Sequence, residues 1–236
     1  IDGYDPDTGK QLWRRWTVPA PGEPGSETWP NKELPDAWKY GGAATWQPVT
    51  YDPDLDLVFV GTGNAEPYNP KYRAGMDSLF AASVLAIRPK TGEMVWHYQF
   101  MPNDSFDFDG TAEPIIADIM IDGQPRKVLF QMNKSGFMYT LDRTNGQLLA
   151  AHPFTRVNWA SHIDLKTGRP VVNLTYYMVL AQFKLAMLLE RHYARGLNGR
   201  LDRDMGEQMG ALVLDLLRAA SEMTHEFDGA SERQMA

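Results

Sequence analysis

The chain has 236 residues, of which 43% are hydrophobic and 22% charged, a balance typical of globular proteins and not of disordered chains. Its formal net charge of −7 argues against a basic nucleic-acid-binding surface, and no apolar run approaches the length of a membrane span. The absence of cysteine excludes disulfides, thiolate metal sites and a cysteine nucleophile. We therefore expect no nucleic-acid partner and no membrane span.

Residues 1–172 have the sequence pattern of short β-strands separated by turns. Their apolar runs are four to eight residues long and are bounded by Gly, Pro, Asn or Asp, as strands and the turns between them usually are. These runs occupy residues 57–60, 84–87, 115–119 and 127–132. We expect a β domain over residues 1–172.

A phrase with a tight turn is repeated along this part of the chain. The sequence DPDTGKQLW at residues 5–13 recurs as RPKTGEMVW at residues 88–96, and in weaker form at residues 142–149 and 164–169. The Gly of each phrase supplies the positive φ that a tight hairpin needs. A repeated hairpin that carries a Trp is typical of a propeller blade. An ordinary β-meander is the alternative, but repetition of the whole phrase favours the propeller.

After residue 172 the pattern changes to that of helices. Proline is absent from residues 173–236, and apolar residues there recur at steps of three and four, on one face of a helix. The sequence Gly-Leu-Asn-Gly at residues 196–199 has the chemistry of a helix stop. The predicted fold is therefore mainly β, a partial β-propeller with Trp-docking repeats, followed by a C-terminal α-helical hairpin over residues 173–236.

Four motifs, in order, make residues 1–172 resemble the methanol and ethanol dehydrogenases that depend on pyrroloquinoline quinone (PQQ). The motifs are GGAATW at residues 41–46, GTGN at 61–64, DSFDFD at 104–109 and NKSGF at 133–137. The resemblance implies a quinoprotein-type propeller of eight blades with PQQ near its axis, a small alcohol as substrate, a cytochrome c-type electron acceptor and a periplasmic location. We expect the chain to be an internal piece of such a propeller, because the family's Glu metal ligand would precede residue 1.

By this resemblance, Trp46 is expected to form the floor under the PQQ ring and Lys134 to hydrogen-bond the quinone oxygens. A flat indole suits this role because a planar cofactor offers a large stacking area. The structural alternatives are a propeller-core Trp at position 46 and an exposed hairpin Lys at position 134.

The same resemblance implies that Asn64, Asp107 and Asp109 are metal ligands and that Asp107 is the catalytic base. Amide and carboxylate oxygens suit a hard cation, and a base must take the proton of the substrate hydroxyl. The alternatives are a turn Asn at position 64 and a solvated acidic loop around positions 107 and 109.

Asp109 bears on the choice of metal. The corresponding residue is small and uncharged in calcium-type members of the family and is an Asp in the lanthanide-dependent branch, so the resemblance favours lanthanide(III) over Ca²⁺. Alternation along a strand predicts that Asp107 and Asp109 share one face, where the two carboxylates would repel each other unless a cation lay between them.

Three features depart from the family pattern, and the first is that the family's Glu ligand and its adjacent-Cys ring would precede residue 1. Phe106 stands where a Trp usually precedes the catalytic Asp, and the blades that should follow Arg169 are absent. The tail of residues 173–236 instead resembles the C-terminal helices of aminoglycoside-phosphotransferase-like kinases, most clearly at residues 176–183 and 189–195. The catalytic loop of those kinases is not present, so no kinase activity is inferred. We expect a chimera of a propeller piece and a foreign tail, produced by a natural fusion, by an error of gene assembly or by design.

The predicted function is oxidation of an alcohol by base-assisted hydride transfer to metal-bound PQQ, with reduced activity because part of the site is absent. A second hypothesis is a non-enzymatic propeller scaffold that binds other proteins. Open blades expose strand edges, which favour association with another chain, so an oligomer is also expected. A third hypothesis assigns partner docking to the helical tail.

Overall fold

The computed structural model describes residues 1–157, 159–160, 162–171 and 174–234, with side chains described outside 174–177 and 224–234. The chain separates into two compact units, Ile1–Val171 and Val172–Ala236. The domain boundary predicted between residues 172 and 173 falls on residues outside the described ones.

The first unit consists of antiparallel strands. A two-stranded hairpin, β1 (Asp2–Tyr4) and β2 (Gln11–Arg14), comes first. A four-stranded sheet follows, with β3 (Thr50–Asp52), β4 (Leu57–Gly61), β5 (Ser83–Ile87) and β6 (Met94–Gln99) in sequence order. A second four-stranded sheet contains β7 (Ile115–Ile121), β8 (Gln124–Met132), β9 (Phe137–Asp142) and β10 (Leu148–Pro153), also with sequence neighbours paired. The hairpin of β11 (His162–Ile163) and β12 (Pro170–Val171) comes last.

The apolar runs predicted as strands lie within β4, β5, β7 and β8, so those predictions are confirmed. All five residues of β5 are buried, as expected for an apolar run in the middle of a sheet. Short helical pieces occur outside the sheets. They are the 3₁₀ turns Ser26–Thr28 and Pro70–Arg73 and the one-turn helix α1 (Ala37–Tyr40).

The repeated phrases form hairpin turns onto which tryptophans dock. The indole nitrogen of Trp13 donates to the carbonyl of Pro89 at 2.9 Å, and a Cβ built on Gly92 would lie 2.5 Å from the Trp13 ring. Trp96 packs on Gly146 in the same way, with the corresponding distance 2.6 Å. Each turn needs glycine for two reasons. The φ angles of Gly92 and Gly146 are +72° and +77°, and a side chain at either position would collide with the indole.

Arg143 joins the two four-stranded sheets. Its buried guanidinium donates to Asp52 of β3 at 2.6 Å and to Asp118 and the Ala117 carbonyl of β7, both at 2.7 Å. Its carbonyl accepts the indole N–H of Trp96 at 3.2 Å. The turn that receives the docked Trp therefore also fixes the neighbouring sheets to each other.

The last repeat departs from this pattern. The turn at Gly168 is held by Tyr98, whose hydroxyl donates to the Gly168 carbonyl at 2.9 Å. In the third phrase, Ala150 stands at the position that Trp13 and Trp96 occupy in the first two. A phenol from β6 therefore replaces the indole as the docking group.

The second unit is a pair of helices, α2 (Leu174–Leu197) and α3 (Arg203–Gln234), as the spacing of apolar residues predicted. The helix α2 ends at Leu197, within the stop predicted over residues 196–199. Gly196 is still helical, and a Cβ on it would lie 2.7 Å from the Cα of Gly206. The two glycines thus let the helices approach closely before the turn. No described helix is long and apolar enough to cross a membrane.

Candidate cofactor and cation site

The predicted acidic motif lies in the loop between β6 and β7, not in a strand. Asp107 and Asp109 both have left-handed backbone, with φ of +62° and +53°. The expectation that strand alternation sets their common face is therefore wrong. Asp tolerates this conformation better than most residues, and here the loop and not a pleat directs the two carboxylates.

Asp104 holds this loop in shape from inside. Its side chain is buried, and its carboxylate accepts the backbone N–H of Phe106 at 2.9 Å, of Phe108 at 2.9 Å and of Asp109 at 3.3 Å. Burial raises the pKa of Asp104 to about 6, and the negative charge of Asp109 adds to this effect, while the three backbone bonds oppose it. The bonds fix the turn that presents residues 107 and 109.

Arg73 anchors the start of the same loop. Its side chain is fully buried and donates to the Asp104 carbonyl at 2.6 Å and to the Asn103 amide oxygen at 2.9 Å. It also donates to the Pro67 carbonyl at 2.9 Å and the Ser78 hydroxyl at 3.1 Å. The loop is thereby tied to the segment that follows the GTGN motif.

Asp109 is the centre of the site. Its carboxylate is 4% exposed, and its Oδ1 accepts the backbone N–H of Asn64 at 2.8 Å. Its backbone carbonyl accepts a short hydrogen bond from the side-chain amide of Asn133. Its Oδ2 forms a close ion pair with Lys134. This single residue therefore connects the GTGN motif to the NKSGF motif.

Lys134 lies between the two predicted carboxylate ligands. Its ammonium pairs with Asp109, donates to the Asp107 carbonyl at 3.1 Å and lies 3.5 Å from the Asp107 carboxylate. Burial disfavours its charged form, but the hydrogen bond and charge of Asp109, together with Asp107, outweigh it and raise the pKa of Lys134. Lys134 is therefore an ammonium at neutral pH.

Trp46 lies against Gly63, immediately beside Asp109. A Cβ built on Gly63 would be 2.4 Å from the Trp46 ring and 3.1 Å from the Asp109 Oδ1. The indole is 53% exposed. The ring is therefore held on one side by glycine backbone and offers aromatic surface to solvent on the other.

Asn64 reaches Asp109 through its backbone N–H, and its side chain bonds within its own segment. Its amide nitrogen donates to the Ala65 carbonyl at 3.3 Å and to the Glu66 carboxylate at 3.4 Å. A hard cation would take the amide oxygen. Among the described residues, no group of three or more His, Cys, Asp or Glu side chains could hold a metal ion. The donors that the resemblance implies are two carboxylates and one amide, and they stay a prediction.

The structure brings the five predicted site residues together around Asp109. Asn64 and Lys134 bond to it, Trp46 reaches it across Gly63, and Asp107 joins through Lys134. Asp107 lies at the rim, with a carboxylate 55% exposed. The roles assigned to these residues stay predictions.

Sequence reasoning missed an aromatic cluster beside Asp107. The rings of Phe106 and Phe108 are stacked with centroids 5.0 Å apart, and Phe108 packs on Trp159 at 5.2 Å. The indole nitrogen of Trp159 donates to the Ser135 carbonyl at 2.7 Å. The only signal for this cluster was the alternation of Phe and Asp in the motif. Arg73 was missed as well, since it belongs to none of the four motifs.

Comparison with known proteins gives one family match. Residues 1–158 match the family of the PQQ glucose/ethanol/alcohol dehydrogenase β-propeller domain. The match supports the propeller fold predicted from the repeats, with the helical part following it.

The relatives are dehydrogenases. The quinohemoprotein alcohol dehydrogenase ADH IIB of Pseudomonas putida is 48% identical over 185 residues, which cover 72% of this chain and 26% of the relative. The lanthanide-dependent methanol dehydrogenase of Methylacidiphilum fumariolicum (strain SolV) is 37% identical over 189 residues, 72% of this chain and 30% of the relative.

Two solved structures have a similar fold. The quinohemoprotein alcohol dehydrogenase from Comamonas testosteroni matches with a TM-score of 0.67 at 40% identity, covering 72% of this chain and 27% of that one. A europium-containing methanol dehydrogenase matches with a TM-score of 0.66 at 37% identity, covering 72% and 32%. The chain thus spans between a quarter and a third of the length of these proteins.

Proposed function

Because the chain belongs to the β-propeller family of PQQ-dependent glucose, ethanol and alcohol dehydrogenases, we propose that it is part of an enzyme that oxidises an alcohol with PQQ and a bound cation. The observation that carries this proposal is the convergence of Asn64, Trp46 and Lys134 on Asp109, with Asp107 at the rim. A scaffold that only binds proteins has no need of such a set.

The residues present fit both groups. Two carboxylates and an amide oxygen are hard donors, which suit Ca²⁺ or a lanthanide ion. The exposed indole of Trp46 suits stacking on a planar quinone, and the ammonium of Lys134 suits its oxygens. Gly63 supports the same interpretation, because a larger residue there would push the indole away.

The chain's own residues have separate roles in the proposed reaction. When bound, PQQ supplies a hydride acceptor that a cation makes more electrophilic. Asp107, whose carboxylate is accessible at the rim, takes the proton of the substrate hydroxyl. Asp104 and Arg73 keep the loop in the conformation that presents this carboxylate.

For the cation, we favour lanthanide(III) over Ca²⁺. Asp109 adds a second carboxylate beside Asp107, and an ion of higher charge is stabilised more by two anionic donors. The 37% identity to a lanthanide-dependent methanol dehydrogenase supports this choice. Ca²⁺ is the second candidate.

We further propose a small alcohol as substrate, a cytochrome c-type electron acceptor and a periplasmic location. Several relatives are named quinohemoproteins, which supports a haem acceptor. In this proposal, residues 1–172 hold the functional part and residues 173–236 are a helical tail joined to it as a chimera. Association through open blade edges would complete the assembly.

The test is uptake of PQQ followed by dye-linked alcohol oxidation in the presence of Ca²⁺ or a light lanthanide. Asp107→Asn removes the base and keeps the side-chain volume, so turnover should fall by about 10² or more while PQQ uptake persists. Asp7→Asn, in the exposed turn after β1, is a control with the same chemical change. PQQ uptake can be followed by quenching of tryptophan fluorescence.

Two outcomes would contradict the proposal at different points. Unchanged turnover in Asp107→Asn would remove Asp107 as the base. Absence of PQQ uptake by the unsubstituted chain would favour the scaffold hypothesis.

A further inference from the structure

The ammonium of Lys134 lies between the two carboxylates proposed to bind the cation. It pairs with Asp109 Oδ2, lies 3.5 Å from Asp107 Oδ2 and donates to the Asp107 carbonyl at 3.1 Å. We propose that Lys134 is the counter-ion of the cation-free site, which the incoming cation must displace from Asp109 and which then turns toward the cofactor. This inference rests on the cation site of the proposed function.

The carboxylate of Asp109 needs a counter-ion. It is 4% exposed, and a buried carboxylate without a partner is strongly destabilising. Backbone N–H of Asn64 reaches Oδ1, while Lys134 supplies the positive charge at Oδ2. In the absence of a cation, Lys134 therefore stabilises a loop whose carboxylates would otherwise repel each other.

The ammonium and a metal ion exclude each other at this position. Both would use Asp109 Oδ2, and two positive charges at contact distance repel strongly where solvent is partly excluded. Cation binding therefore has to include departure of the Lys134 ammonium, and the apparent affinity is reduced by the free energy of the ion pairs that break.

The structure allows this departure as a movement of one side chain. The Lys134 side chain is 54% exposed on a flexible four-carbon stem. Its backbone is fixed on both sides, since the Asn133 N–H donates to the Phe137 carbonyl at 3.0 Å and the Ser135 N–H to the Asn133 side chain at 2.8 Å. The hairpin can therefore stay in place while the ammonium moves.

The test is a titration of the full chain with Tb³⁺, whose luminescence is sensitised by the neighbouring Trp46. Lys134→Met keeps the aliphatic length and removes the charge, so Tb³⁺ should bind up to about fivefold more tightly, which is the upper value for one exposed ion pair. The cation-induced rise in Tm should also be larger in this variant, because the cation-free form has lost its counter-ion. Asp109→Asn should weaken binding in both backgrounds.

Lys127→Met is the matched control. Lys127 of β8 is partly exposed and pairs with Asp54 at 2.7 Å and with Asp118 at 3.7 Å, so its substitution makes the same change in net charge away from the site. Its effect on Tb³⁺ affinity should be small compared with that of Lys134→Met.

A second measurement needs no substitution. Amine labelling with readout by mass spectrometry should show faster modification of Lys134 when Tb³⁺ is added, with the rate at Lys127 unchanged. This measurement decides the inference even if Lys134→Met does not fold.

The outcomes separate this inference from the proposal on which it rests. Equal Tb³⁺ affinity in Lys134→Met and the unsubstituted chain, with unchanged labelling of Lys134, overturns the inference and leaves the cation site standing. Absence of Tb³⁺ binding in every variant overturns the cation site and the inference together.

Discussion

Gly63 is the residue on which the geometry of the site depends most directly. A Cβ built on Gly63 would lie 2.4 Å from the ring of Trp46 and 3.1 Å from the Asp109 Oδ1. The first distance is far below van der Waals contact, so a side chain at position 63 requires the indole to move.

Gly63→Ala should therefore lower the affinity for PQQ by about tenfold or more, a loss of about 1.4 kcal/mol, because the proposed stacking surface is displaced. The measurement is a fluorescence titration with PQQ, with a thermal melt to show that the variant folds. Trp46→Phe is the companion variant, since it retains an aromatic ring at position 46. Undiminished PQQ affinity in Gly63→Ala would show that Trp46 is not the stacking surface.

At the scale of single residues, the sequence predicted which residues form the candidate site better than it predicted their backbone conformations. The motifs indicated Trp46, Asn64, Asp107, Asp109 and Lys134 as a group, and the structure brings them together. The left-handed backbone at the two Asp residues could not be predicted from alternation, because it depends on the buried carboxylate of Asp104. The contribution of Arg73 could not be predicted either, since its bonds reach residues 30 and 31 positions away.

Among the structural elements, the docked tryptophans connect consecutive sheets of the first unit. Trp96 is buried, its indole nitrogen bonds to the Arg143 carbonyl at 3.2 Å, and its ring packs on Phe59 at 5.5 Å. The same turn carries the guanidinium that pairs with Asp52. Loss of the indole therefore affects a junction between sheets and not one strand alone.

Trp96→Phe should lower the free energy of unfolding of the first unit by about 1–3 kcal/mol, because a buried carbonyl loses its donor and the smaller ring leaves space. Trp16→Phe, an exposed position, should change it by about 0.5 kcal/mol or less. Urea denaturation followed by tryptophan fluorescence measures both. All seven tryptophans precede residue 160, so the signal reports on the first unit.

Equal destabilisation by the two substitutions would contradict a specific role of the docked indole. The repeated phrase allowed this junction to be predicted, because Gly and Trp keep the same spacing in the first two copies. At the last turn, that of Gly168, Tyr98 is the docking residue in place of a Trp. This could not be predicted, since Tyr98 lies two residues beyond Trp96 and outside the repeated phrase.

At the scale of the whole chain, two compact units differ in what holds them together. The first is built from sheets joined by indoles and a buried guanidinium, and the second from two helices around Leu216, Ala186 and neighbouring small residues. Their difference in composition, visible as the loss of Pro after residue 170, is why sequence alone indicated a change of fold near that point.

The first unit should lose stability in alkali, because it buries several tyrosines. Burial raises the pKa of Tyr139 and of Tyr68 to about 12 and raises that of Tyr98 still further. The ordinary value is 10.0, so above that pH the unfolded chain releases protons that the folded unit retains. Their contribution is thus fully present below pH 10 and is lost progressively as pH rises toward 12.

For Tyr139, which is fully buried, a shift of this size corresponds to about 3 kcal/mol of stability lost by pH 12. Above pH 10, the unfolding free energy should therefore fall less steeply with pH in Tyr139→Phe, and the difference in slope should correspond to the release of up to one proton per molecule. Tyr4→Phe, at an exposed position, should leave the slope unchanged. Urea denaturation at several pH values, read by tryptophan fluorescence, gives the slope, and phenolate absorbance gives the number of late-titrating tyrosines. The prediction is wrong if stability is constant across this range, or if Tyr139→Phe and Tyr4→Phe have the same slope, since burial of the phenol would then not be what links this unit to pH.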